Sequence, residues 1–201
     1  NMKKLKTLLL LSMLTLVVGV FSSCSSDDDS SSKFNDVTLI AGSTQQIANS
    51  DGINWKSEND LIAEVENGTI KAYRVGEVRI ASEKGSFIVK VTPQYSYYTE
   101  PYLNFGATIQ SVKKQMKGYS LISEDSKSLL YKGTGYTSGY LYSFENSALK
   151  YSYILTSSSY VTEVANWTAE RYVYVTQTDD YIGLITPDKK IMVLIVPMKI
   201  G

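Results

Sequence analysis

The chain has 201 residues, 20 basic and 20 acidic, with no histidine and a single cysteine. Without histidine, Ser-His and Cys-His nucleophile pairs and histidine metal sites are excluded. Without a basic surplus, the chain lacks the footprint of a nucleic-acid binder.

The first predicted element is a secretion signal over residues 2–23. Lys3, Lys4 and Lys6 precede a nearly unbroken apolar run, Leu8 to Val20, with the small residues Ser22 and Ser23 beyond it. Thirteen residues are too few to span a bilayer, which takes roughly 20. Cys24 falls where cleavage is expected, and Ser22-Ser23-Cys24 resembles the lipobox of bacterial lipoproteins, with Phe21 in place of the usual aliphatic residue. The resemblance implies cleavage before Cys24 and acylation of its thiol and new amine, palmitate-type chains included. Two or more chains anchor a protein stably where one does not. With Cys24 acylated no thiol remains for a disulfide, so the domains must stand on their cores.

Residues 24–33 form an acidic Ser/Asp tether. Asp27, Asp28 and Asp29 so close behind the cysteine resemble the surface-export signal of Bacteroidota lipoproteins, which implies display on the outer face of the outer membrane. As a bare charge run the same residues are a solvated, self-repelling leash. Removing residues 1–23 leaves 17 basic and 20 acidic side chains.

Residues 34–93 are expected to form short strands. In "SFIVKV" Phe87, Val89 and Val91 share one face, and "EVRIAS" does the same with Val78 and Ile80. Asn67-Gly68 supplies the positive φ angles of a two-residue hairpin turn, pairing Val65 with Ile70, Ala63 with Ala72, and Glu64 with Lys71. The stretch from Ile53 to Ile80 resembles the bacterial Ig-like group 2 domain through Trp55, Ser57, Asn59, Ile62-Ala63, Val65, Asn67-Gly68, Ile70, Ala72 and Gly76. The resemblance implies an all-β sandwich with Trp55 near its core, used in that family as a spacer, adhesin segment or binding platform.

Fifteen of the sixteen tyrosines fall in residues 95–181, which places a domain boundary near Pro93. Residues 94–201 are expected to be an α+β domain, one antiparallel sheet with two helices on one face. The first helix, within 105–119, carries Ile109, Val112 and Met116 on an apolar stripe and stops at Gly118. Four strands follow, the last two joined at Asn146-Ser147. A regular two-residue turn there sets Phe144, Tyr142 and Tyr140 opposite Leu149, Tyr151 and Tyr153, all on one face. A second helix over 159–172 directs Tyr160, Val161, Val164 and Trp167 inward, and three strands close the chain. The last, "IMVLIVP", is apolar on both faces and is expected at the sheet centre. The twice-repeated order of helix then meander distantly resembles small envelope lipoproteins that assist outer-membrane assembly, and β-lactamase inhibitor proteins, without sharing a motif.

Neither a catalytic centre nor a metal or cofactor site emerges. "YKGTGYTSGY" lacks the Lys-Ser/Thr ending of a phosphate loop, and the acids do not follow calcium-loop spacing. Glu124, Glu145, Glu163, Glu170 and Asp180 are the carboxylates open to glycoside chemistry, though none sits in a motif. The tyrosines admit two readings. Tyr140, Tyr142, Tyr151 and Tyr153 form either a platform for sugar rings or a sheet face buried beneath the helices. Tyr97, Tyr98 and Tyr102, with Tyr95, either cement the domains or line a cleft. The expectation is a non-catalytic, lipid-anchored outer-membrane protein whose C-terminal domain contacts a glycan or a protein. The alternatives are a periplasm-facing assembly or inhibitor-like lipoprotein and a small glycan-active enzyme.

Overall fold

A computed structural model of the chain describes residues 34–197. The expected signal peptide, Cys24, the expected tether and Asp27, Asp28 and Asp29 lie outside the described residues. What is described is mostly β-structure with two α-helices. It divides into two compact units, 34–94 together with 169–197, and Tyr95–Thr168.

Residues 34–94 contribute seven strands: β1 (Val37–Ile40), β2 (Thr44–Gln46), β3 (Lys56–Ser57), β4 (Ala63–Glu66), β5 (Thr69–Ala72), β6 (Gly76–Ser82) and β7 (Gly85–Thr92). They form a four-stranded sheet, β1-β7-β6-β3, and a three-stranded sheet, β2-β5-β4. Alternation explains how both sheets feed one core. Val78, Ile80, Phe87, Val89 and Val91 come from the first, and Ala63, Ile70 and Ala72 from the second. Trp55 lies within this core, edge-on to Phe34 and Phe87 at ring separations of 4.7 and 5.4 Å.

The β4–β5 hairpin turns at Asn67 (φ 49°) and Gly68 (φ 73°), with Ala63, Glu64 and Val65 opposite Ala72, Lys71 and Ile70. A Cβ on Gly68 would collide with Ser50. Glu64 stands opposite Lys71 as expected, while the ion pair of Lys71 is with the diagonal Glu66, and the Glu64 carboxylate accepts from the Tyr73 hydroxyl at 2.8 Å.

The second unit contains α1 (Ile109–Gln115), β8 (Leu121–Glu124), β9 (Ser128–Lys132), β10 (Thr137–Glu145), β11 (Ala148–Thr156), a 3-10 turn (Ser158–Tyr160) and most of α2 (Val161–Ala169). The Thr108 hydroxyl caps α1 by accepting from the Ser111 N–H, and Gly118 follows the helix at φ 103°. Strands β11-β10-β9-β8 form one antiparallel sheet. Its inner face packs Leu129, Tyr131, Tyr140, Tyr142, Phe144 and Leu149 against Val112 of α1 and Met116 at its C-cap. Trp167 of α2 meets Tyr98 edge-on at 5.6 Å. Val161, expected inward, is exposed, because the helix proper begins there after the 3-10 turn.

The C-terminal strands depart further from expectation. β12 (Val173–Gln177), β13 (Ile182–Ile185) and β14 (Met192–Ile195) form a separate three-stranded meander, which falls in the compact unit with residues 34–94. Consecutive strands joined by short turns pair with one another first. That rule does not say which body the meander joins. Here the attachment includes three long-range hydrogen bonds: Glu170 O accepts from Val75 N–H at 2.8 Å, Arg74 donates to Tyr172 O, and Asn59 donates to Pro187 O. β14 is therefore an edge strand, not a central one. It half-buries Val193 and Ile195 and leaves Met192 72% exposed.

Candidate functional site

The site begins with a misfit in the β10–β11 hairpin. The turn at Asn146 (φ 51°) and Ser147 (φ 63°) pairs Glu145 with Ala148 and Phe144 with Leu149, as a two-residue turn should. The next pair is Ser143 with Tyr151, so Lys150 is an extra residue on β11. Such a bulge places two residues opposite one and shifts the pairing beyond it by one position, here as far as Gly139 with Leu155, past which a second irregularity restores it. Tyr142 now faces Ser152, and Tyr140 faces Ile154. The expected six-residue face is thus split in two.

Tyr140 and Tyr142 stay on the inner face and are buried; they form core, not a platform. The Tyr142 hydroxyl donates to Met116 Sδ at 3.2 Å and accepts from Tyr102 N–H at 3.2 Å. Tyr151 and Tyr153 stand on the outer face, 47% and 41% exposed, with ring centroids 6.1 Å apart and planes tilted by 39°. In register with them lie Ser143 and Ser128 in one row, Leu141 and Leu130 in the next. A shallow groove of about 840 Å³ runs past these rings, bordered by Ser126, Ser143, Asn146 and Ser147 and by one charge of each sign, Lys127 and Glu145. Burial raises the pKa of the Tyr153 hydroxyl, the Tyr151 hydroxyl adds to the rise, and a hydrogen bond with Ser143 opposes it.

The remaining tyrosines of the second unit do other work. Tyr98 is buried and bonds Thr156 Oγ1 at 3.1 Å, while Tyr97 stacks on Tyr95 and meets Tyr136 edge-on. Tyr102 is half-buried, its hydroxyl accepting from Asn104. A smaller cavity of about 210 Å³ lies beside Tyr102, Met116, Tyr119, Tyr140 and Tyr142. Among the seven tyrosines expected as a platform, only Tyr151 and Tyr153 are both exposed and adjacent on one face. The bulge that selects them has no signature in the sequence, since Lys150 is neither glycine nor proline.

The carboxylates considered for catalysis stand apart in role. Glu124 is paired with Lys113 at 2.6 Å, and Glu170 with Arg171 at 2.5 Å, while Glu145 sits at the hairpin tip and Asp180 in an exposed turn. No group of three or more metal-ligating side chains occurs among the described residues.

Burial pushes the Tyr142 hydroxyl up to about 12, with the Tyr102 N–H opposing. A tyrosine whose pKa is higher folded than unfolded stabilises fully below the unfolded value, near 10, and loses that stability as pH rises toward 12. The difference is worth roughly 3 kcal/mol. Tyr142→Phe should therefore cost about 1 kcal/mol at pH 8, through the lost hydrogen bonds, yet flatten the fall in stability above pH 10. Urea midpoints followed by circular dichroism between pH 8 and 11.5 would show it. Parallel falls in both proteins would place the titration elsewhere.

Comparison with protein-family models, with curated proteins and with solved structures finds no match to this chain.

Proposed function

We propose that the chain is a lipid-anchored protein of the outer-membrane surface that works by binding, with Tyr151 and Tyr153 as its contact for a glycan. The observation that carries this reading is the pair of neighbouring exposed tyrosine rings on an uncovered sheet face, among serine and asparagine side chains. Aromatic rings in a shallow polar groove offer the apolar area and hydrogen-bonding rim that a sugar ring needs. Residues 34–94 serve as a bacterial Ig-like sandwich that acts as a spacer, a role supported by the two sheets around Trp55 and by the sequence resemblance. Cys24 carries the lipid, and Asp27, Asp28 and Asp29 direct it outward.

The test uses intact cells and fluorescent polysaccharides. Cells displaying the wild-type protein should retain the polysaccharide. Tyr151→Ala with Tyr153→Ala should lower retention about tenfold or more, and Cys24→Ser should move the protein to the soluble fraction. Retention unaffected by the tyrosine changes would remove the glycan reading.

A protein partner is the second reading, favoured by a specific feature. Met192, Leu194 and Val196 leave an exposed apolar stripe along β14, whose outer edge pairs with no described strand.

A further inference from the structure

Resting on the glycan reading, the geometry points to a narrower ligand class: an uncharged, extended chain of at least two linked pyranose units, lying along β11 with successive ring faces on Tyr151 and Tyr153.

Charge is the first consideration. All three arginines, Arg74, Arg79 and Arg171, lie in the unit formed by 34–94 and 169–197, so Tyr95–Thr168 contains no guanidinium and no histidine. Arginine is the side chain whose rigid fork fits carboxylate, sulfate and phosphate. The groove holds one lysine and one glutamate, both exposed, whose opposite charges cancel. Lys127 is the single cation of the lining and Glu145 its single carboxylate, so neither sign is accumulated there for a row of charged sugars.

Length is the second. Tyr151 and Tyr153 are two apart on one strand, so the line joining their rings follows β11. At 6.1 Å and 39° they do not merge into one flat surface. One sugar ring can cover only one of them, whereas two linked rings, twisted relative to each other, can cover both.

Polarity is the third. The row through Tyr151 continues into Ser143 and Ser128, and the row through Tyr153 into Leu141 and Leu130. Hydroxyls and the Asn146 amide both donate and accept hydrogen bonds, as sugar hydroxyls do. A proline-rich peptide, the other ligand that favours aromatic ridges, offers acceptors with few donors.

The experiment titrates the full chain, held in detergent micelles, with four probes: glucose, neutral cello- and manno-tetraoses, a tetragalacturonate and a proline-rich decapeptide. A neutral tetraose should bind at least about tenfold more tightly than glucose, because the second contact is made intramolecularly. Its affinity should change little between about 50 and 500 mM salt. Tyr151→Ala and Tyr153→Ala should each weaken it about tenfold, while the Phe variants keep it, since the ring face does the binding. Both residues are exposed, and near-UV circular dichroism checks that each variant is folded.

Binding of the tetragalacturonate alone, abolished by salt, would overturn the uncharged class while leaving the glycan reading. Equal affinity for glucose and the tetraoses would overturn the two-ring arrangement. Binding of the decapeptide alone, or of no saccharide, would overturn this inference and the glycan reading together.

Discussion

Deleting Ser152 is expected to destabilise the second unit by about 3–5 kcal/mol, whereas deleting Lys150, two residues earlier, should cost less than about 1 kcal/mol. The contrast follows from pairing. Phe144 faces Leu149 and Ser143 faces Tyr151, so without Lys150 the two strands run on in register through this point, Leu149 inward and Tyr151 outward, and only the irregularity between Thr137 and Gly139 remains. Without Ser152, every residue from Tyr153 to the end of β11 turns over. The Tyr153 ring is driven toward the inner face, where Tyr142 is already fully buried, and Ile154 leaves the core it packs against. The bond from Ser152 Oγ to Tyr102 O and the geometry of Thr156, which bonds Tyr136 O and Tyr98, are lost as well. Urea denaturation followed through Trp167 would measure both deletions. Equal costs would mean that Lys150 is not the extra residue.

Glu170→Ala should cost the first unit about 3–5 kcal/mol, the range found when one partner of a buried ion pair is removed. The Glu170 side chain is 7% exposed and pairs with Arg171 at 2.5 Å, and its carboxylate also accepts from Gln94 N–H at 2.8 Å. Alanine removes the carboxylate that offsets a guanidinium only 11% exposed and takes the acceptor from Gln94. Glu170→Gln should fall between wild type and alanine, because it keeps an acceptor and loses the charge. Denaturation followed through Trp55 reports this unit. A cost for alanine within about 0.5 kcal/mol, typical of surface substitutions, would show that the pair carries little.

Local chemistry was legible in the sequence. Asn67-Gly68 dictates its turn, and alternation on both sides then fixes Val65 against Ile70 and Ala63 against Ala72. Val78, Ile80, Phe87, Val89 and Val91 are buried as their period of two requires. Arrangements between distant residues were not legible. The parallel pairing of β1 with β7 joins Val37 to Val89, 52 positions on, and neither strand carries a mark of the other. The meander from Val173 to Ile195 is locally well specified, yet the hydrogen bonds that attach it, such as Val75 N–H to Glu170 O, join residues about a hundred positions apart. The candidate site turned on Lys150 alone. A bulge without glycine is decided by how well Leu149 and Tyr142 pack beneath α1, a property of the assembled core that no window of sequence contains.

The discontinuity of the first unit bears on how the protein is made. A ribosome delivers residues 34–94 first, then the whole of Tyr95–Thr168, and only afterwards the segment that completes the unit begun at the start. Domains usually mature in the order of their synthesis. Here the order is nested: the later unit has all its residues once Thr168 emerges, while Gln94, Val75 and Asn59 still await Glu170 and Pro187. A chain interrupted at that point carries a finished guest inside an unfinished host.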